Sequence, residues 1–575
     1  MHKLSAPRKG RFSLGHPFVV FGSLAFMVGW LVPNHYPPWV GFHNEAGIFA
    51  ALILFCAGFA TDPKSVRLPV ATLAIFAALI AIIGLQWAGG LIIYAGDALV
   101  SSVFVMGFAM AWWLGARTVF VPDAPERGLL LGATLMVTAA CVSSLMAVLQ
   151  WLTLEGDMLF FVAERGPNRP YANLAQPNLL ATLLVTGTVL AYWLYLRQRI
   201  KIWQLLAIAV WLSFGLITTE SRAGLLSAFS VGVFFMLRAM PAWRAGGWRI
   251  VAMWWGLLAL LAGVWRPLNA LLALQATRQT ELAVDNVRLV IWKQVIAGIT
   301  QAPWFGYGWR QTVIAQKIGV EKVAGDFPSD YAHSVVLDVL AWLGLPLGTL
   351  LLLLGAWWLL RTIRNLKDST EFLLFSSTIP FLVHSLVEFP FAYAFFLFPV
   401  AWIFGALQAH QASFKFRIRN AVPRFSRLAS IAGLLGFTLL CGQLALEYFE
   451  AEEDFRVMRF EMRKLGSKSA DYEAPRLILL TQLDDLLTMG RMVPARSMSA
   501  ADMEHLRKAN LSRHWGSLNM KYVIALGLNG QPVQATKELR NIKALYGAEM
   551  YRSAVDEIRT LRNDKYPELA LLKME

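Results

Sequence analysis

Thirteen apolar runs, separated by short basic segments, decide what this chain can fold into. Crossing about 30 Å of hydrocarbon takes roughly 20 residues of helix. Runs of that order lie near 18–33, 47–60, 69–86, 98–114, 128–153, 177–196, 203–219, 222–238, 248–265, 334–360, 371–387, 391–409 and 428–448. With 57% of 575 residues hydrophobic and 15% charged, the chain reads as an all-α polytopic membrane protein with about thirteen transmembrane helices. The first run, "FVVFGSLAFMVGWLVP", is long for a signal-peptide core and no small-x-small cleavage site follows it, so it reads as a retained anchor.

Sidedness follows from the cations. With a cytoplasmic amino terminus, the cytoplasmic segments hold 22 Lys and Arg, against three (Arg165, Arg169 and Arg222) on the short loops of the other side. That asymmetry sets the topology. It also explains most of the net charge of +15, which makes nucleic acid a poor reading of the basic composition. The stretch "ERGPNRPYANLAQPNLLATLL" (164–184), the segment 266–333 and the tail after 449 then share the outer face. Cys56, Cys141 and Cys441 all fall inside apolar runs, so no disulfide framework is expected.

Three regions follow: a membrane body over 1–448, a 68-residue outer insertion within it at 266–333, and a polar tail over 449–575. The insertion is too long for a simple connection. Within it, "ELAVDNVRLVIWKQVIAGI" places Val284, Val287, Ile291 and Val295 on one helical stripe, with Asp285, Arg288 and Lys293 elsewhere; this is an amphipathic helix lying on the membrane or against the bundle. It ends at "APWFGYGW", a turn whose aromatics suit the interface. In the tail, "MKYVIALGLNGQPVQATKELRNIKALYG" reads as two helices joined at "GLNGQP", in the manner of one tetratricopeptide-like hairpin.

Polar residues at the outer ends of apolar runs are the candidates for chemistry. Arg169, Asn173 and Gln176 precede the sixth run; guanidinium and amide groups suit phosphate and sugar oxygens, although the amides could equally cap the helix opening at Pro177. Arg222 lies in "TTESRAG", a tight turn. His333 sits at the mouth of the tenth run in "DYAHSVVLDVL", with Asp330 nearby and Asp338 deeper, where a carboxylate partner would orient the imidazole. His384 and Glu388 are four residues apart and should share a helix face; ionisable groups at membrane depth usually face a cavity. No Walker loop, Rossmann fingerprint, H-E-x-x-H motif or nucleophile elbow occurs, and neither a metal nor a cofactor is expected. An outer-face transferase has no ATP and needs a preactivated donor; arginines around a lipid-linked diphosphate would stabilise the leaving group.

The segments "RPYANLAQPN", "SRAG", "NVRLVIWKQVIAGITQAPWFGYG" and "YAHSVVLDVLAWLGLPLG" resemble the O-antigen ligase and polymerase superfamily over roughly 160–410. "PNHYPPW" (33–39), "NLAQPN", "HSLVEFPFAYAFFLFP" and the long tail look most like the bacterial protein O-oligosaccharyltransferases within it. The resemblance implies en bloc transfer of an oligosaccharide from undecaprenyl diphosphate to Ser or Thr of a pilin or other periplasmic protein, at the bacterial inner membrane, with active site and carboxyl terminus periplasmic. By matched position it implies that His333, Arg222 and Arg288 are catalytic and that Gln176 and Tyr393 belong to the site. Arg310, just beyond "FGYG", joins Arg169, Asn173 and Gln176 as a donor-binding candidate; Asp330, His384, Glu388 and Tyr393 are supporting ones. A lipopolysaccharide O-antigen ligase, an O-antigen polymerase and a lipid-linked glycan transporter are the rival readings.

Overall fold

The computed structural model describes residues 16–60, 70–119, 126–158, 160–165, 169–238, 247–274, 283–413, 427–463, 465 and 472–574. Most of the basic segments that set the expected sidedness, at 1–15, 61–69, 120–125, 239–246 and 414–426, lie outside them, as do Pro167 and Asn168. The described residues form helices and no strand. In chain order these are α1 (Pro17–Leu31), α2 (Phe42–Ala60), α3 (Val70–Ala88), α4 (Ala95–Val119), α5 (Arg127–Trp151), α6 (Pro177–Leu196), α7 (Ile202–Thr218), α8 (Arg222–Arg238), α9 (Gly247–Leu271), α10 (Ala283–Ile299), α11 (Thr312–Gly319), α12 (Val335–Arg364), α13 (Ser369–Val387), α14 (Ala394–Ser413), α15 (Arg427–Met462), α16 (Thr481–Arg491), α17 (Ala500–Ser512), α18 (Gly516–Leu528) and α19 (Pro532–Asp564).

Each apolar run coincides with a helix, but among the described residues nine are long and apolar enough to cross a bilayer, and α1, α2 and α7 are shorter apolar helices. Several helices outrun their apolar stretch. The second begins at Phe42, not 47, because Asn44 is satisfied inside the protein by donating to the Gly29 carbonyl at 3.1 Å. The last span does not stop near 448: α15 continues to Met462 as one helix. Helix persists wherever the backbone ladder is kept, while hydropathy reports only where lipid is the solvent.

The chain divides into two compact units, one of residues 1–77, 104–280 and 358–441, the other of 78–103, 281–357 and 442–575. In the first, small residues let helices meet backbone to backbone. A Cβ on Gly115 of α4 would stand 1.8 Å from the Trp402 carbonyl oxygen, and one on Gly405 of α14 would stand 1.8 Å from that of Trp112. The two contacts are reciprocal, each glycine receiving the opposite helix three residues after a tryptophan.

In the second unit α10 packs on α11: a Cβ on Gly298 would meet the Ala315 carbonyl at 2.1 Å and one on Gly319 that of Gln294 at 1.8 Å. The helix expected over 281–299 is therefore a packed element; Ile291, Gln294, Val295, Gly298 and Ile299 form its buried stripe. Arg288 lies at the edge of this stripe, half-buried, not on the polar face that the sequence suggested. α12 bends at Gly344 (φ 73°), where Leu345 N–H donates to the Pro303 carbonyl at 2.7 Å. From the tail, α17 ends on Lys317, whose ammonium donates to the Asn510 and Arg513 carbonyls.

Two outcomes are expected. Gly405→Val forces α4 and α14 apart and costs about 1–3 kcal/mol, read as a lower unfolding temperature of the detergent-purified protein. Burial pushes the Lys317 ammonium down to about 7 from its ordinary 10.5. Between these values the unfolded chain holds a proton that the folded chain has released, so stability rises with pH across that window. Lys317→Met should flatten the rise.

Candidate functional site

The first unit gathers four of the expected segments at the amino-terminal end of α6. The loop before that helix is laced by two amides fully excluded from solvent. Gln150, at the end of α5, accepts from Tyr171 N–H and Ala172 N–H (2.9 and 2.7 Å) and donates to the Ala163 and Ala172 carbonyls (2.8 and 2.7 Å). Asn173 donates to the Leu31 and Phe161 carbonyls (2.5 and 2.8 Å) and accepts from Ala163 N–H (2.9 Å). Both donors of Asn173 are thus spent within the protein, one on the end of α1 and one on the loop. Asn173 does not cap α6; the N-cap is Gln176, which makes no side-chain cap bond, followed by Pro177.

Asn178, in the first turn of α6, is the junction. Its Oδ1 accepts from the Ser221 hydroxyl (2.7 Å), its amide donates to Glu388 (3.3 Å), and its carbonyl accepts from Thr182 (3.1 Å). Ser221 also accepts from Gly224 N–H at 3.0 Å, closing the first turn of α8. Gly224 itself fits tightly, since a Cβ there would stand 2.5 Å from Ala181 on α6. In "SRAG", then, the serine caps, the glycine packs, and Arg222 is left exposed between them. The turn before it is held from two sides: Arg169 donates to the Glu220 carbonyl at 2.9 Å and Trp265 donates to the Glu220 carboxylate at 3.1 Å.

His384 and Glu388 do not share a helix face. α13 stops at Val387 and Glu388 is extended (φ −156°). Each instead reaches α6, Glu388 to Asn178 and His384 Nδ1 to the Thr182 hydroxyl at 2.8 Å, two positions four apart on that helix. Because Thr182 gives its hydrogen to a carbonyl, Nδ1 is the donor. The Tyr393 ring lies tilted against those of Phe389 and Phe395, with ring centroids at 6.1 and 5.1 Å. Its ring and the Glu45 carboxylate both lie 3.4 Å from where a Gly41 Cβ would be.

The second unit holds His333, Asp338 and Arg310. Asp338, with 0% exposure, accepts from the Thr312 hydroxyl (2.6 Å) and from Ala332 N–H (2.9 Å) with one oxygen. It therefore pins the backbone beside His333, whereas the imidazole Nε2 lies 3.1 Å from Ser329 Oγ. Asp330 is exposed. Arg310 follows "FGYG", where the Tyr307 and Gly308 N–H groups donate to the Ala341 and Trp342 carbonyls. Gln86 clamps the same turn, accepting from Trp309 N–H at 2.9 Å and donating to the Trp342 carbonyl at 2.8 Å. Gly306 is required there, since a Cβ would meet the Ala341 carbonyl at 2.5 Å and its φ is +68°. Burial raises the Tyr331 phenol above its usual range, and the Arg310 guanidinium hydrogen-bonded to it works against that rise.

Backbone strain marks the same places. Ten non-glycine residues among those described have positive φ, and five of them, Ala172, Ala175, Glu220, Arg310 and His333, lie in or beside these segments. Such conformations persist where surrounding bonds over-determine them, commonly at functional positions. Elsewhere, Asp368, Glu371 and His410 have ligand atoms within 4.8 Å of one another. However, Asp368 accepts from Glu371 N–H and Glu371 from Lys367 N–H, both at 2.9 Å, which caps the start of α13, the opposite end of that helix from His384.

Three family profiles match the chain: "Protein glycosylation ligase" over residues 170–195, "O-Antigen ligase" over 207–353 and "Virulence factor membrane-bound polymerase, C-terminal" over 372–559. Over these residues the chain is similar to O-antigen ligases and protein glycosylation ligases. The chain is 28% identical over 543 residues to a general O-oligosaccharyltransferase of Acinetobacter baylyi, covering 90% of each chain. It is 25% identical over 301 residues to a ComP-specific O-oligosaccharyltransferase of the same organism, covering 51% of this chain and 53% of that one. No solved structure matches. The O-antigen ligase match takes in Arg222, Arg288, Arg310, Asp330, His333 and Asp338.

Asp338 offers a direct check. Asp338→Asn keeps an oxygen for Thr312 and Ala332 and should fold and function nearly as the parent. Asp338→Ala leaves both donors unsatisfied, at about 1–3 kcal/mol, and should lose activity and thermal stability together.

Proposed function

We propose that this protein transfers an oligosaccharide en bloc from a lipid-linked diphosphate, undecaprenyl diphosphate, to Ser or Thr hydroxyls of periplasmic proteins, pilin-like ones among them. The observation that carries this reading is an imidazole held at a strained, carboxylate-pinned position in the segment that matches the O-antigen ligases. Full-length similarity to an enzyme named as a general O-oligosaccharyltransferase supports the class of reaction. The chain crosses the bacterial inner membrane thirteen times with its amino terminus cytoplasmic, and residues 449–575 are periplasmic and helical.

In this reaction the acceptor oxygen attacks the anomeric carbon while the bond to the diphosphate breaks, its electron pair leaving with the diphosphate. His333 takes the hydroxyl proton. Arg222 and Arg288 stabilise the charge developing on the leaving group, as planar guanidinium groups suit paired phosphate oxygens; Arg169, Arg310 and Gln176 contribute to donor binding. The amides, hydroxyls and arginines among the candidate residues suit phosphate and sugar oxygens.

The deciding experiment is mass spectrometry of periplasmic proteins from cells that make a lipid-linked glycan, with and without this protein, with lipopolysaccharide followed in parallel. Intact oligosaccharide on Ser or Thr only when the protein is present is the expected result; glycan gained instead by lipid A core would replace this reading with that of a lipopolysaccharide ligase. In the same assay His333→Ala should lose at least about 10²-fold of the transfer rate while still inserting. Arg222→Lys keeps the charge but loses the paired geometry, and should fall well below the parent.

A further inference from the structure

Two glutamines on packed helices have no part in the roles assigned so far. Gln294 on α10 and Gln316 on α11 are both wholly excluded from solvent, where amide groups must find partners. Their polar atoms are spent on each other and on one segment, residues 323–329. Gln294 Nε2 donates to the Val323 and Gly325 carbonyls at 3.0 and 3.1 Å. Gln316 Nε2 donates to Gln294 Oε1 and to the Phe327 carbonyl, both at 2.8 Å, and Gln316 Oε1 accepts from Ser329 N–H at 2.9 Å. The segment so fixed ends on Ser329, whose Oγ lies 2.8 Å from the Tyr331 carbonyl and 3.1 Å from His333 Nε2.

The directions of these last two bonds are forced. A carbonyl only accepts, so the one hydrogen of the Ser329 hydroxyl goes to Tyr331. Ser329 Oγ must then accept from the imidazole. His333 thus donates Nε2–H to Ser329.

We propose that Ser329 is a positioning residue that fixes the Nε2–H tautomer of His333, and that Gln316, backed by Gln294, holds Ser329 in place. The inference rests on the reading of His333 as the group that receives the acceptor's proton. That proton arrives at Nδ1, the acceptor oxygen bonds to the anomeric carbon, and the diphosphate departs with the electron pair of the broken bond. Throughout, Nε2–H stays donated to Ser329. A hydroxyl here does the orienting that a carboxylate does in other histidine bases.

The test uses the full-length protein in lipid vesicles with a polyprenyl-diphosphate oligosaccharide and a Ser-containing peptide. Ser329→Ala is expected to lower kcat about 10²-fold with KM for the donor unchanged, Gln316→Leu to fall in the same manner, and Ser329→Thr, which keeps the hydroxyl, to recover most of the rate. A second readout needs no turnover: reaction of His333 with diethyl pyrocarbonate, followed by peptide mass spectrometry, should become several-fold faster in Ser329→Ala because the ring is no longer held. Parental kcat and parental carbethoxylation in Ser329→Ala would overturn the proposal. So would an equal loss in Ser329→Thr, which is the pattern of a merely structural role. If the parent protein transfers nothing, the transferase reading fails, and unchanged or faster carbethoxylation still decides whether Ser329 holds the ring.

Discussion

Hydrocarbon offers no hydrogen bonds, and the architecture depends on that. Every backbone group at membrane depth must find its partner within the protein, which leaves helices to do the crossing and confines irregular backbone to helix ends. The reciprocal seating of Gly115 on Trp402 and of Gly405 on Trp112 is one consequence: without a hydrophobic force between helices in lipid, close packing of backbones has to hold them. Another is that strained and hydrogen-bonded loops collect where helices stop, as at the start of α6, the turn into α8 and the approach to α12.

Those loops are held mainly by carboxamides. Gln86, Gln150, Asn173, Asn178, Gln294 and Gln316 each join backbone or side-chain groups that are separate in sequence. An amide both donates and accepts and carries no charge, so it can tie a loop down without the desolvation penalty of an ion. With the loops fixed in this way, left-handed backbone at Ala172, Ala175, Glu220, Arg310 and His333 can persist. Charged residues fix turns as well, Arg169 on Glu220 and Asp338 on Ala332.

Much of this was legible in the sequence. The apolar runs mark the helices, "SRAG" and "YAHSVVLDVL" mark the positions of Arg222 and His333, and the resemblance those segments carry agrees with the matched families. The misreadings have a common origin. Counting residues from His384 to Glu388 assumed that the helix continues, but it ends at Val387. Nothing local to Asn173 in the sequence shows that its amide donates to Leu31, 142 residues away. Gln150, Gln294 and Gln316 were passed over, although a glutamine within or beside an apolar run is itself the sign of a buried polar contact.

The sequence by itself determined the class of structure, the extent of the helices and the identity of the residues able to handle a proton or a phosphate, because those depend on composition, local periodicity and side-chain chemistry. Tertiary structure alone decided which polar groups are spent and which remain at a ligand's disposal. Hydrogen bonding between distant segments saturates Asn173, turns Asp338 towards Ala332 and gives His333 to Ser329, and such pairings follow from how helices pack, which no local pattern encodes.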